Sequence, residues 1–271
     1  DGGQNFEHLE ATIPTDNFTN TNAEFASVTE LAAHNTDPNI IYAATSSGLK
    51  ITDDGGQTWV NAISGSATFV DVEVASDGSV YASTSNRIYY SEDGSINSFE
   101  SLPIGTVFGG GVGRIEIDIA PSDPNYIYAI YSNQGGLGRY RGIFRSTDKG
   151  QNWEEIIPGW VGSTPPLNNI FNQQANYAMA LAVDPSDKDR ILIGGLDLWE
   201  WKDGEGVESK SYWAIGDGVP WGVHADQHEI VFHPDNHDIV YFGNDGGVYR
   251  SIDGGENYSS FNRGYGVTQF Y

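Results

Sequence analysis

Phe144-Arg145-Ser146-Thr147-Asp148-Lys149-Gly150-Gln151-Asn152-Trp153 is the stretch from which the fold can be read. It has the chemistry of a hairpin. Phe144 ends a strand, and the side-chain oxygens of Ser146 and Asp148 are placed to turn back onto nearby backbone N–H groups. Gly150 supplies a position free to take positive φ. Trp153 opens the next strand with a ring to bury and an indole N–H that needs an acceptor. One such turn carries little weight, but this one recurs at Thr52, Asp54, Gly56 and Trp59, and again at Ser251, Asp253, Gly255 and Tyr258. A truncated copy opens the chain at Asp1, Gly3 and Phe6. A degraded copy sits at Ser91, Asp93, Ser95 and Phe99, with one extra residue before the aromatic. The aspartates at 1, 54, 93, 148 and 253 are separated by 53, 39, 55 and 105 residues. The last interval is about two periods, and near its middle lies Trp201-Lys202-Asp203-Gly204-Glu205-Gly206, an eroded copy. Repeats of this length are supersecondary units, and propeller blades fit them best.

A second pattern repeats between the turns. Ile115-Glu116-Ile117-Asp118-Ile119 alternates apolar and polar residues as a half-buried strand does. Ser122-Asp123-Pro124-Asn125 is a turn, Tyr126 to Tyr131 a second strand, and Gly142 to Ser146 a third that runs into the Asp turn. The aromatic after the turn starts a fourth, completing an antiparallel meander. Val70 to Val74, Ala180 to Asp184 and Ile230 to His233 begin equivalent units, as does Glu30 to His34. No segment has a sustained helical period. The expectation is an all-β β-propeller of four-stranded antiparallel blades, about five plus partial blades, in one domain over 1–271. The blade repeats fall near 7–54, 60–93, 100–148, 154–203 and 213–253. Three stretches break the rhythm: Gln134 to Tyr140, Pro158 to Tyr177 and Tyr212 to His228. Long loops on a rigid scaffold are where binding residues collect.

Composition narrows the partners. With 37 Asp plus Glu against 13 Lys plus Arg, the formal net charge is −24. A phosphate backbone needs a basic surface, so nucleic acid is excluded as a natural partner and anionic membranes are disfavoured. There is no cysteine, hence neither disulfide nor thiolate chemistry. No run of about 18 apolar residues exists to insert in a membrane. The chain begins inside a turn motif and ends inside the apparent strand Val267 to Tyr271, as a piece of a longer protein would.

The Asp turns resemble the Asp-box, or BNR, repeats of sialidase-superfamily propellers. Val223-His224-Ala225-Asp226-Gln227-His228, with Gly243-Asn244-Asp245-Gly246-Gly247-Val248-Tyr249-Arg250-Ser251, is similar to the sortilin-type and xyloglucanase-type repeat proteins secreted by Bacteroidetes, often by type IX secretion. The resemblance implies a secreted, extracellular or cell-surface protein. It also implies that the Asp-box residues Asp1, Asp54, Asp93, Asp148 and Asp253, with Trp59, Trp153 and Tyr258, are structural and lie on the outer rim. Such propellers close with six to eight blades, so the resemblance places further blades beyond this chain. A sialidase is disfavoured, because arginines are few and its Arg-Ile-Pro signature is missing.

Three constellations remain as candidates for chemistry. On an extended strand His224, Asp226 and His228 would share a face, and two imidazoles with a carboxylate suit a divalent metal. The competing reading is a polar ladder satisfied by neighbouring blades. Ca2+ at the acidic turns is conceivable, though none has EF-hand spacing. Asn244-Asp245-Gly246-Gly247 resembles the Asp-Val-Gly-Gly segment that carries a catalytic aspartate in xyloglucanase-type enzymes, one residue shorter. A glycosidase needs two carboxyl groups, and Asp245 would pair with Asp226 or Asp197. Asp-Gly-Gly is equally a good tight turn. Finally, Trp160, Trp213 and Trp221 fall near connections, where exposed tryptophan stacks on sugars or anchors interfaces. The expected function is a binding or adhesion module for a glycan or protein ligand within a larger extracellular protein. A glycoside hydrolase and a structural subunit of an extracellular assembly are the alternatives.

Overall fold

The computed structural model describes residues 5, 7–13, 24–63, 67–104, 113–133, 138–161, 163–215 and 221–262. The truncated turn at Asp1, Gly3 and Phe6, residues 134–137 of the first insertion and the end of the chain from 263 lie outside them. The chain divides into two compact units, residues 1–103 and 104–271.

The first unit holds two four-stranded antiparallel meanders. One is Val28–Ala33 (β1), Ile41–Thr45 (β2), Gly48–Thr52 (β3) and Val60–Asn61 (β4). The other is Phe69–Val74 (β5), Val80–Thr84 (β6), Ile88–Ser91 (β7) and Glu100–Ser101 (β8). The second unit holds three. They are Ile115–Ile119 (β9), Ile127–Ser132 (β10), Tyr140–Ser146 (β11) and Glu154–Pro158 (β12); Ala180–Asp184 (β13), Asp187–Gly194 (β14), Leu198–Lys202 (β15) and Gly206–Ser209 (β16); and Gln227–Phe232 (β17), Val240–Asn244 (β18), Gly247–Ser251 (β19) and Ser259–Ser260 (β20). Five four-stranded meanders with their first strands packed against one another within each unit are propeller blades, and the fold is all-β. The sheets that carry an Asp turn end several residues beyond it rather than at it, because the strand after the turn pairs with the strand before it. Among the described residues no helix is long and apolar enough to cross a membrane.

The Asp turns explain their own spacing. Ser146 Oγ accepts the N–H of Gly150 at 2.8 Å and that of Asp148 at 3.3 Å, and donates to Asp148 Oδ1 at 2.9 Å. Asp148 then accepts the backbone N–H and the side-chain amide of Asn152. Trp153 Nε1 closes the turn on the carbonyl of Gly150 at 3.0 Å. Thr52, Asp54, Thr58 and Trp59 repeat this set, as do Ser251, Asp253, Asn257 and Tyr258. Gly150 sits at φ +82°, where a side chain is strained. In the degraded copy Ser91 reaches the N–H of Gly94, one residue early, and Asn97 at φ +62° absorbs the extra residue before Phe99. The eroded copy at 203–206 is a plain hairpin turn, and its Asp203 pairs with Arg145 instead.

Buried aliphatic and aromatic residues fill the spaces between neighbouring sheets. The largest such core lies between the blades of β9–β12 and β13–β16. It includes Tyr128, Tyr140, Ile143, Ile191 and Trp201. The insertion after β12 contributes Trp160, Ile170, Phe171, Ala175 and Met179 to that core, so most of it is packing rather than an open loop. Charged clips span the same seams. Arg145 on β11 pairs with Glu154, Asp189 and Asp203. Arg190 on β14 pairs with Asp184 and Glu200 and donates to the carbonyl of Gly254 in the next Asp turn. Asp118, half-buried on β9, accepts the N–H of Val183 on β13 at 2.6 Å.

Candidate functional site

Three of the five first strands carry a bulge near their starts, with register shifts between Val28 and Glu30, Phe69 and Asp71, and Gln227 and Glu229. A bulge re-aims the residue it contains. In the last blade that residue is His228. Its Nε2 donates to Asp245 Oδ1 at 2.7 Å, across the sheet at the turn between β18 and β19. Tyr177, from the end of the insertion, donates its hydroxyl to both oxygens of Asp245 at 3.0 Å. Its ring stands edge-on to His228, 5.0 Å between centroids. Sequence reasoning missed Tyr177, which lies 68 residues from its partner, and no local pattern marks it.

Fully buried Gln227 anchors this corner. It donates to the carbonyl of His224 and accepts from Asn244, which in turn receives the N–H of Gly246. A Cβ on Gly246 would lie 2.5 Å from His224 Cβ, so only glycine lets that imidazole settle there. The expectation that His224, Asp226 and His228 share one strand face is corrected. Asp226 has φ +63°, the strand begins only at Gln227, and the bulge follows at once, so the alternation that would align them never starts. His224 Nδ1 turns to the carbonyl of Ala225 and His228 is committed to Asp245. Among the described residues no three His, Asp or Glu side chains converge to hold a metal ion. Asp226 nevertheless belongs to the cluster electrostatically. Its carboxyl is pushed up, first by burial and then by the charge of Asp245, with His228 and His224 opposing. Its Oδ1 is enclosed and has no hydrogen-bond partner.

The aromatic candidates separate. Trp160 is 7% exposed and lies under the guanidinium of Arg139, 4.5 Å from its ring centroid, which corrects its placement as a ligand-binding residue. Its backbone N–H extends the β11 pairing by bonding the carbonyl of Tyr140, so the ring follows the chain into the core. Trp213 and Trp221 are exposed. Trp221, with Tyr212, lines an open cleft of about 320 Å³ whose other walls are Glu208, Ser209, Lys210, Ser211 and Glu256. The carbonyl of Trp221 accepts the N–H of Tyr212 at 3.1 Å, which brings the two residues together. Among the described lining residues Lys210 is the only cation. It points to Glu256 at 2.8 Å, Glu208 at 3.2 Å and Glu200 at 3.4 Å. Burial pulls the Lys210 ammonium down, but these carboxylates outweigh it and its pKa is raised.

One turn supports both places. Asp197, between β14 and β15, accepts the N–H of Trp213 at 2.7 Å and faces the hydroxyl of Ser211. The carbonyls just before it, Gly195 and Leu196, accept the N–H groups of Gln227 and Asp226. Asp197 is thereby a support for the aromatic segment, and burial raises its carboxyl against those two donors.

No family model matches the chain. A stretch of 100 residues is 34% identical to Xyloglucanase Xgh74A of Acetivibrio thermocellus, covering 34% of this chain and 11% of that protein. The chain therefore spans a small part of the length of the curated relatives it matches. Among solved structures, the GH74 xyloglucanase from Xanthomonas campestris aligns over 84% of this chain and 38% of its own, with TM-score 0.55 and 17% identity. An auxiliary nutrient binding protein from Bacteroides thetaiotaomicron aligns over 86% and 59%, with TM-score 0.58 and 13% identity. YCF48 from Cyanidioschyzon merolae aligns over 85% and 68%, with TM-score 0.54 and 14% identity. At these identities the structural likenesses establish the β-propeller fold that the five blades already display.

Proposed function

We propose that this chain is a carbohydrate-binding β-propeller module of a larger extracellular protein, its blades turned by Asp-box repeats. The observation that carries the reading is the cleft in which Trp221, 61% exposed, and Tyr212, 55% exposed, stand beside Glu208, Ser209, Ser211 and Glu256. Exposed rings stack on the apolar faces of sugars while carboxylates and hydroxyls bond the rim of the ring, and a volume near 320 Å³ is at the small end of ligand sites. The 100-residue likeness to a xyloglucanase supports a glycan over a protein ligand. The test is calorimetric titration of the chain with soluble oligosaccharides, repeated on Trp221→Ala. Saturable binding that falls ~tenfold or more in the variant is expected; undiminished binding would remove the cleft from the proposal.

A second reading is hydrolysis of a glycosidic bond by Asp226 and Asp245. The observation favouring it is the division of the two carboxyl groups. Asp226 is raised toward the protonated form a general acid needs, and Asp245 is held by Tyr177 and His228 as a fixed base. Release of reducing ends from a polysaccharide, abolished by Asp245→Asn, is the result that would establish it.

A further inference from the structure

We infer that the sugar taken by the aromatic cleft is an amino sugar, bound as its ammonium form. The inference rests on the carbohydrate-binding reading and adds the chemical class of the ligand. Its basis is what the cleft offers. The two exposed rings, Trp221 and Tyr212, attract a cation through their faces. Glu208 and Glu256 stand on the walls with side chains 71% and 56% exposed. The one cation among the described lining residues, Lys210, is only 10% exposed and already engaged with three carboxylates. A carboxylate-bearing sugar would meet Glu208 and Glu256 with no free cation among the described lining residues to answer it. A neutral sugar would stack on the rings but leave the outer oxygens of both glutamates without a charged partner. An ammonium on the sugar ring meets aromatic faces and carboxylates together, the combination by which proteins hold organic cations. The −24 charge of the chain favours the approach of a polycation over a polyanion.

The experiment compares four probes on the full chain: a glucosamine hexamer, the N-acetylglucosamine hexamer, a cellulose-type glucose hexamer and a lysine-rich peptide. Each is titrated at low and high salt. The glucosamine hexamer is expected to bind ~tenfold or more tightly than its acetylated counterpart at low salt, an advantage that shrinks several-fold at about 0.5 M salt as the charges are screened. The double variant Glu208→Gln, Glu256→Gln should abolish that advantage, and Trp221→Ala should weaken all the sugars. The acetylated probe needs no variant, so a misfolded mutant leaves the comparison standing. Equal binding of glucosamine and N-acetylglucosamine hexamers overturns the amino-sugar inference and keeps the carbohydrate reading. Binding of no oligosaccharide overturns both. Binding of the lysine-rich peptide alone overturns both as well, and assigns the cleft to cationic side chains of a protein.

Discussion

Replacing Ser146 by alanine isolates the hydrogen bonds on which the Asp turn depends. The hydroxyl has three neighbours. It accepts from Gly150 N at 2.8 Å and Asp148 N at 3.3 Å, and it donates to Asp148 Oδ1 at 2.9 Å. The Gly150 N–H is buried, and losing its acceptor leaves a donor that water cannot reach, a cost of about 1–3 kcal/mol. The Asp148 N–H is half-exposed and its bond is long, so water replaces most of it. The carboxylate keeps its two bonds from Asn152. We therefore expect Ser146→Ala to cost about 2 kcal/mol, which in a chain of this size lowers Tm by roughly 4–8 °C. Urea unfolding followed by tryptophan fluorescence, with calorimetry as a second probe, measures it. Ser251→Ala should cost the same, since its distances match. Ser146→Thr should keep most of the stability, because Thr52 does this work in the first blade. A loss under about 0.5 kcal/mol for Ser146→Ala, or an equal loss for Ser146→Thr, would refute the reasoning.

Three further outcomes follow from the seams and the corner at Asp245. Burial pushes the Asp118 carboxyl up to about 7, against the N–H groups of Val183 and Ile119 that bond it. The folded protein then keeps a proton the unfolded chain releases near pH 4, so its stability contribution, full at acid pH, is lost as pH rises through about 7. Asp118→Asn should remove a slope approaching 1.4 kcal/mol per pH unit (about one proton) between pH 5 and 7, and an unchanged slope in a pH series of urea unfolding would count against it. Arg190→Met takes the guanidinium from Asp184 and Glu200, leaving them Ser186 and Lys210 as partners, and leaves the carbonyl of Gly254 unbonded; it is expected to cost about 3 kcal/mol by urea unfolding, where less than about 1 would show the clip to be dispensable. Gly246→Ala drives a methyl to 2.5 Å from His224 Cβ. It should shift the His224 ring resonances in NMR and destabilise the chain by roughly 1–3 kcal/mol, whereas unmoved resonances would mean that the imidazole does not rest there.

Much of the fold was legible because its signals are local. The turn that begins at Ser146 ties Ser146, Asp148, Gly150, Asn152 and Trp153 to one another within a few residues, and the alternation of Ile115, Ile117 and Ile119 places those side chains in the core. The candidate sites were less legible because they are assembled from distant parts. Asp245 was identifiable as a strand-end carboxylate, but its partner Tyr177 arrives from an insertion whose sequence reads as a loop. His224, Asp226 and His228 look like an alternating strand until the backbone of Asp226 turns to φ +63° and the bulge follows. Trp160 reads as a loop tryptophan, yet Ile170 and Phe171 draw the insertion into the core around it. Trp221 was found by residue type alone. Its glutamates were not, because Glu256 reaches Lys210 across 46 residues, from the Asp turn of the next blade.

The hydrogen bonds that close the Asp turn at Ser146 bear on how the chain is made. The hydrogen bonds that join Ser146, Asp148, Gly150, Asn152 and Trp153 run within the turn itself, so the corner can set while the later chain is still on the ribosome. Each meander pairs only neighbouring strands, which keeps its loop-closure entropy low. Synthesis in this order would deliver one hairpin after another, leaving the seams between blades as the later events in which Arg145 reaches Asp189 and Asp203 and Arg190 reaches the carbonyl of Gly254.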